Sequence, residues 1–329
     1  MSIHLDASQQ HDGAQEHRPG ERPADDATPR PTARSIVVGV DDRGRSVSAV
    51  VWAVEEAEHT RTPLTLLSSG RGSTQNSGGD HDVSALARRL TLSDVEIRRV
   101  EGDAVDALVS AACEADLLVV GCRSMGPAQR MMVGSTSRAA ACWSPVPVVI
   151  VPEAWMQPSM ATAPLVAGVR PVQPHKPLRG EPDHEVLDFA FVRAAALRVP
   201  LIVVSAWEMS GVDAWSPTDV DHLREEHHDS LERRLAPWRV SHPHVELVIR
   251  SVAEEAHRAV VEASQFSQMV VIGRHHSAVL SGSLGGTPRA VLHHASRPVA
   301  VVPTGTRDEL LRDLEIQRAQ MDRPWAPTF

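Results

Sequence analysis

Apolar and polar positions along this chain switch between two periods, and the whole cycle occurs twice. Ser35-Ile36-Val37-Val38-Gly39-Val40-Asp41 is apolar on both faces, as a central parallel strand is. Behind it Ser46 stands as a candidate N-cap before Val47, Val50, Val51, Val54 and Ala57, which recur at helical spacing. Residues 64–67 predict a second strand, the Gly/Ser/Asn/Asp-rich segment 68–82 a loop, and residues 83–90 a helix. Val95-Glu96-Ile97-Arg98-Arg99-Val100 alternates, which predicts a half-exposed edge strand. Asp103 then caps a helix carrying Val105, Leu108, Val109, Ala112 and Cys113 on one face. A fourth strand over 117–120, a helix over 138–143 and a fifth strand over 146–152 close the first cycle.

The second cycle starts at Leu165-Val166-Ala167-Gly168-Val169-Arg170 and runs through a Pro-rich loop to a helix over 185–197. Strands over 201–204, 245–249, 269–272 and 299–302 and a helix over 254–263 complete it. Strands alternating with helices imply a parallel sheet with right-handed crossovers, hence an α/β fold. The expected organisation is a tail at 1–33, a first domain at 34–153, a linker at 154–163, a second domain at 164–304, and a helix and tail at 305–329. The tail is polar, rich in Asp, Glu, Arg and Pro, and without apolar periodicity, so it is expected to be disordered. Near the other end Thr306 and Glu309 form a capping-box pattern before Leu310, Leu311 and Leu314, a short amphipathic helix expected to pack on the body. The fifth strands, 148–151 and 299–302, are short, apolar and flanked by proline, and are expected to pair with each other.

Candidate chemistry concentrates after the fourth strand. Val119-Val120-Gly121-Cys122-Arg123-Ser124-Met125-Gly126 runs from a buried strand into a loop, and Gly134-Ser135-Thr136-Ser137 opens a hydroxyl-rich helix. That succession aims backbone amides at a phosphate. A worn copy stands at Val270-Val271-Ile272-Gly273 and Gly285-Gly286-Thr287-Pro288. Aligning Arg138 with Arg289, each followed by alanine, makes Gly285 the counterpart of Gly134 and puts Gly286 at the hydroxyl position.

These residues resemble the universal stress protein family, in tandem form, over residues 35–303. Its pattern after the fourth strand is Gly, two residues, Gly, nine residues, Gly, then Ser or Thr; Gly121, Gly134 and Ser135 match, and Ser124 occupies the middle glycine position. The resemblance implies two Rossmann-like, adenine nucleotide alpha hydrolase-like domains, each a five-stranded parallel sheet flanked by helices. It implies ATP in the first domain, with Val40, Asp41 and Val120 around adenosine and Gly121, Ser124, Gly134, Ser135, Thr136 and Ser137 around the phosphates. In the second domain Arg170 replaces the aspartate and His276 the middle glycine. That domain is therefore expected to serve pairing more than ATP binding, although Arg170 could attract an anion.

Composition narrows the function. With 329 residues, 42% hydrophobic but only 3% aromatic, the chain suits two aliphatic cores. A net charge of −9 lacks the basic footprint of a nucleic-acid binder. The single lysine, Lys176, lies in a Pro-rich loop, so there is no P-loop lysine. Cys113, Cys122 and Cys142 fit neither a zinc site nor a disulfide framework, and Cys113 reads as core packing. Among the 17 histidines are three adjacent pairs, His227-His228, His275-His276 and His293-His294, and the triplet His242-Pro243-His244, without completing carboxylates or cysteines, so no metal is expected. No nucleophile with a base and no paired carboxylates assemble from local motifs. Ser77-Gly78-Gly79-Asp80-His81-Asp82 has the wrong residue and the wrong place for a pyrophosphatase loop and reads as a flexible connection. The start has no secretory pattern, and no apolar run reaches membrane-spanning length. The expectation is a cytoplasmic, non-enzymatic protein, a homodimer or intramolecular pseudo-dimer, touching neither nucleic acid nor membrane. Three readings stay open: an ATP-responsive switch acting through a protein partner, a scaffold without nucleotide, and a slow ATPase.

Overall fold

Valine- and leucine-rich runs with both faces apolar can only be satisfied inside a sheet covered on both sides. The computed structural model builds such a sheet; it describes residues 35–41, 46–70, 95–125, 130–156, 162–171, 183–207, 217–275 and 278–321. The expected tail, the loop over 71–82 and the helix over 83–90 lie outside the described residues. In the first lobe β1 (Ile36–Val40) lies between β2 (Leu64–Gly70) and β4 (Leu117–Met125); β3 (Val95–Glu101) flanks β2. A short β5 (Arg130–Met132) folds back antiparallel on β4, and β6 (Val148–Pro152) lies parallel to β4 on its other side. The second lobe repeats the scheme, with β7 (Leu165–Val169) between β8 (Leu201–Trp207) and β10 (Met269–Arg274), β9 (Leu247–Ala253) outside β8 and β11 (Val299–Pro303) outside β10.

The expected pairing of the fifth strands is present: β6 and β11 run antiparallel, with Ile150 opposite Val299, Val149 opposite Ala300 and Val148 opposite Val301. Each lobe keeps its own five parallel strands, but the seam fuses them into one continuous sheet of ten strands in line, with β5 off the line. Alternation along the seam sends Val149, Val151, Ala300 and Val302 to one core and Val148, Ile150, Val299 and Val301 to the other. Both cores therefore run unbroken from lobe to lobe. β3 is the edge strand expected, but its exposure does not alternate: Val95 and Val100 are partly buried and the other five residues, Ile97 among them, are exposed.

One face is covered by α1 (Val47–Thr60), the other by α2 (Ala104–Ala112) and α3 (Ser135–Trp143) in the first lobe. The second lobe supplies α4 (His184–Leu197) and α5 (Pro217–Ser241) to the first face, and α6 (Ala256–Ala263) and α8 (Gly286–His294) to the second, with a one-turn α7 (Ala278–Ser281) before α8. The fourth residue of β1 and of β7 is glycine for a packing reason. A Cβ on Gly39 would come 2.9 Å from Leu108 of α2, and one on Gly168 2.7 Å from Val260 of α6. The last helix, α9 (Arg307–Met321), starts with the expected capping box, Thr306 N–H to Glu309 Oε2 at 2.8 Å and Glu309 N–H to Thr306 Oγ1 at 3.3 Å. It does pack on the body, and across the seam: Leu314 joins Val109 of α2 and Val279, while Arg307 donates to the carbonyl oxygens of Cys113 and Ala115.

Several boundaries differ from expectation. β2 continues through Ser68 to Gly70 because β3 pairs with it over its whole length, so these three residues are strand where a loop was expected. β9 starts at Leu247, two residues beyond the expected start. Residues 121–125 and 130–132 form the β4–β5 hairpin where a loop was expected. α5, of 25 residues, was not anticipated. Among the described residues no helix is long and apolar enough to cross a membrane.

Candidate functional site

Strand order reverses between β1 and β4, where the chain crosses once toward β2 and once toward β6. An open α/β sheet leaves a crevice at the carboxyl ends of its strands at such a point. Here the crevice is a recess of about 780 Å³, well within the size of small-molecule sites. Val40, Asp41, Val120, Gly121, Gly134, Ser135, Thr136 and Ser137, far apart in sequence, all line it. Ser124 lies further along β4, its backbone opposite Met131 in the hairpin, and its side chain is outside those described.

Each lining residue is held by local structure. Gly134 is the N-cap of α3 with φ −68° and ψ 170°, and no side-chain cap closes the first turn. The leading amides of a helix lack intrahelical acceptors and carry partial positive charge, so this end of α3 is suited to an anion. Ser135 is exposed and Thr136 partly so, whereas Ser137 turns inward and its hydroxyl donates to the Gly121 carbonyl at 2.7 Å. That bond ties the helix start to the strand end. Ser137→Ala is expected to cost about 1 kcal/mol, lowering the melting temperature by about 2–4 °C in a thermal melt.

Ser46 corrects an expectation. It stands at the N-cap of α1 but makes no side-chain bond to the helix; its hydroxyl accepts from the Asp41 N–H at 3.0 Å and donates to Asp41 Oδ1 at 3.2 Å. The side chain thus fixes the end of β1 and orients the carboxylate. Arg123, Cys122 and Ser69 also line the recess and were missed by motif reading. Arg123 supplies the only full positive charge among the described lining residues; its signal was its place, two residues past the strand-ending glycine on a strand that continues. Burial, with Glu153 adding to it, pushes the Cys122 thiol up to about 12, so it is a neutral packing group. Burial also raises Cys113, whose thiol contacts the Val109 carbonyl at 3.3 Å within its own helix.

The second lobe has a counterpart recess of about 740 Å³ at the β7–β10 reversal, so the space survives where the motif is worn. Gly285, at φ 82°, is the N-cap of α8, which agrees with matching it to Gly134. The carboxylate expected to be lost has moved. Asp183, the N-cap position of α4 that corresponds to Ser46 before α1, accepts the Arg170 N–H at 2.8 Å. Arg170 Nε donates to the same carboxylate at 2.9 Å, and buried Arg234 reaches it at 3.4 Å. Arg170 is thereby engaged with Asp183 and is not the bare anion site its sequence position suggested. The position of His276 lies outside the described residues. On the wall of the same recess His227 stacks on Trp207 at 4.7 Å, and no group of three or more His, Cys, Asp or Glu suited to a metal occurs among the described residues.

Comparison with known proteins agrees with the architecture. The chain matches the universal stress protein family over residues 32–152 and again over 179–303. It is similar to a universal stress protein of Mycobacterium tuberculosis, 29% identical over 294 residues, which cover 81% of this chain and 95% of that one. Another, from Mycobacterium bovis, is 30% identical over 294 residues, covering 81% and 96%. Among solved structures, a Pseudomonas aeruginosa protein of unknown function superposes with a TM-score of 0.61 at 16% identity, covering 87% of this chain and 98% of its own. A universal stress protein from Archaeoglobus fulgidus gives 0.55 at 15% identity, covering 82% and 98%. At such identities these two speak to the fold alone. The first matched region covers the first lobe and the second covers the second lobe beyond β7; together they span most of the sequence, and the chain belongs to the universal stress protein family as a tandem member.

Proposed function

We propose that the first-lobe recess holds ATP and that its occupancy controls contacts with a protein partner, making the chain a cytoplasmic stress or dormancy regulator without enzymatic turnover. One observation carries this reading: Asp41, Gly121 and the uncapped start of α3 converge on a single recess at the strand reversal. Val40, Asp41 and Val120 would face adenosine. Gly121, Ser124, Gly134, Ser135, Thr136 and Ser137 would face the phosphates, and Arg123 adds a cation at that end. The donor set fits a polyphosphate, since helix amides, hydroxyls and a guanidinium all favour negative charge. Against turnover stand a neutral Cys122 and an Asp41 already tied to Ser46; a base free to position water is missing among the described lining residues.

A scaffold that works without nucleotide is the second reading, favoured by Ser124 at the middle glycine position. Calorimetric titration of the full chain with ATP separates the two. Saturable uptake near one equivalent is expected, and absence of heat together with an unchanged thermal melt would favour the scaffold. Phosphate release during the same incubation would revive an ATPase.

A further inference from the structure

At the end of β10 the second lobe commits a buried charge to the first. Arg274, the last residue of β10, stands between Gly273 and His275, both of which line the second recess. Its side chain leaves that recess and is fully buried against the other lobe. Nη2 donates to the carbonyl of Ser144 at 2.6 Å, and Ser144 is the C-cap of α3. Its own carbonyl is held by the Thr304 N–H at 2.9 Å and the Thr304 hydroxyl at 3.2 Å, which pins the residue to its own lobe. Cys142 and Asp313 are the nearby titratable groups that act on it. Burial brings the guanidinium down to about 10, so it remains charged at neutral pH.

Stability alone does not explain such a residue. Nε and Nη1 find no hydrogen-bond partner among the described residues, and desolvating a guanidinium for one hydrogen bond costs more than that bond returns. The position has a clear electrostatic meaning, however. A helix gathers partial negative charge at its C-terminus and partial positive charge at its start; a cation at the far end offsets the negative pole, and its own attraction for an anion at the near end falls only as the inverse of distance through protein. α3 has nine residues, so its ends are about 14 Å apart, and the intervening medium is protein. The start of α3 is Gly134 to Ser137, in the first-lobe recess.

We propose that Arg274 is a positioning residue for the phosphate end of the first-lobe recess, clamping α3 from its C-terminus and adding its charge to the field α3 presents to a polyphosphate. The inference rests on that recess being the ATP site. It makes nucleotide affinity in one lobe depend on a side chain anchored between two lining residues of the other lobe's recess. The test compares ATP with adenosine, which lacks phosphates, by calorimetric titration of full-length wild type, Arg274→Met and Arg274→Gln.

Arg274→Met is expected to raise the Kd for ATP roughly three- to tenfold and to leave that for adenosine within about twofold. Arg274→Gln, which removes the charge and whose amide ends near the former Nε position, short of the Ser144 carbonyl, should shift ATP affinity about as far as Arg274→Met. A purely structural loosening would weaken both ligands alike. Equal shifts, or an unchanged ATP affinity in a variant that melts cooperatively, would overturn the proposal. If Arg274→Met does not fold, Arg274→Gln decides by the same ratio. Wild-type protein that takes up neither ligand would instead refute the ATP site itself and this inference with it.

Discussion

Gly134→Asp is expected to abolish ATP binding while leaving the protein as stable as before or slightly more so. The backbone at Gly134, φ −68° and ψ 170°, is open to any residue, and a Cβ there would meet nothing within 4 Å. Aspartate is among the preferred N-cap residues, and a negative charge at a helix start stabilises by about 0.3–1 kcal/mol. The same carboxylate would occupy the ground proposed for the phosphates and bond the amides they need. At about 5 Å and an effective dielectric near 20, each pair of unit charges repels by about 3 kcal/mol, so the affinity should fall more than about a hundredfold. Gly134→Asn separates the two effects, because asparagine caps equally well without charge; its ATP affinity should lie between the two. Titration and thermal melting on the same samples read both quantities. Undiminished ATP uptake by the Asp variant would place the nucleotide elsewhere.

The chain's legibility followed the physics of each element. Strands apolar on both faces could be nothing but central strands, and the alternation of residues 95–100 marked an edge, which β3 is. The glycine-to-hydroxyl succession gave the recess, since strand ends and helix starts are local features whose meeting follows from a parallel sheet. Contacts between distant side chains were hidden. Ser46 looked like a helix cap because its bond to Asp41 depends on how the turn closes. Arg170 looked bare because its partner, Asp183, lies beyond a long loop. α5 escaped notice although Leu231, Leu235 and Trp238 sit at helical spacing and are buried. Arg234 interrupts that stripe, and its guanidinium lies there bonded to the Arg170 carbonyl at 3.0 Å and to Asp183 at 3.4 Å; Pro237, inside the helix, reads as a breaker. The β4–β5 pair carries no alternation, and Gly126-Pro127 between its strands reads as a loop.

Breaking the ion pair between Glu56 and Arg193 is expected to be the most destabilising single change of a polar side chain in the molecule. Glu56 is the tenth residue of α1 and Arg193 the tenth of α4, so they are equivalent positions of the two lobes meeting across the seam. Both are buried, at 7% and 9% exposure, and the guanidinium holds both carboxylate oxygens. Trp52 and Phe189, the sixth residues of the same helices, flank it, with the Arg193 guanidinium 4.7 Å and 5.7 Å from their ring centres. Arg193→Ala would leave a buried carboxylate without its partner, a loss of about 3–5 kcal/mol. Glu56→Met with Arg193→Met removes both charges and should cost far less than either truncation, since a buried pair returns little beyond its own desolvation. Glu56→Arg with Arg193→Glu should recover much of what each reversal alone destroys. Denaturant unfolding of these variants reads this directly, and a single truncation costing under about 1 kcal/mol would show that the charges are not coupled. The arrangement also explains why the interface joins unlike lobes. Two first lobes meeting in this way would oppose glutamate with glutamate, and two second lobes arginine with arginine, so the buried pair favours the union of one lobe with the other over either with its own kind.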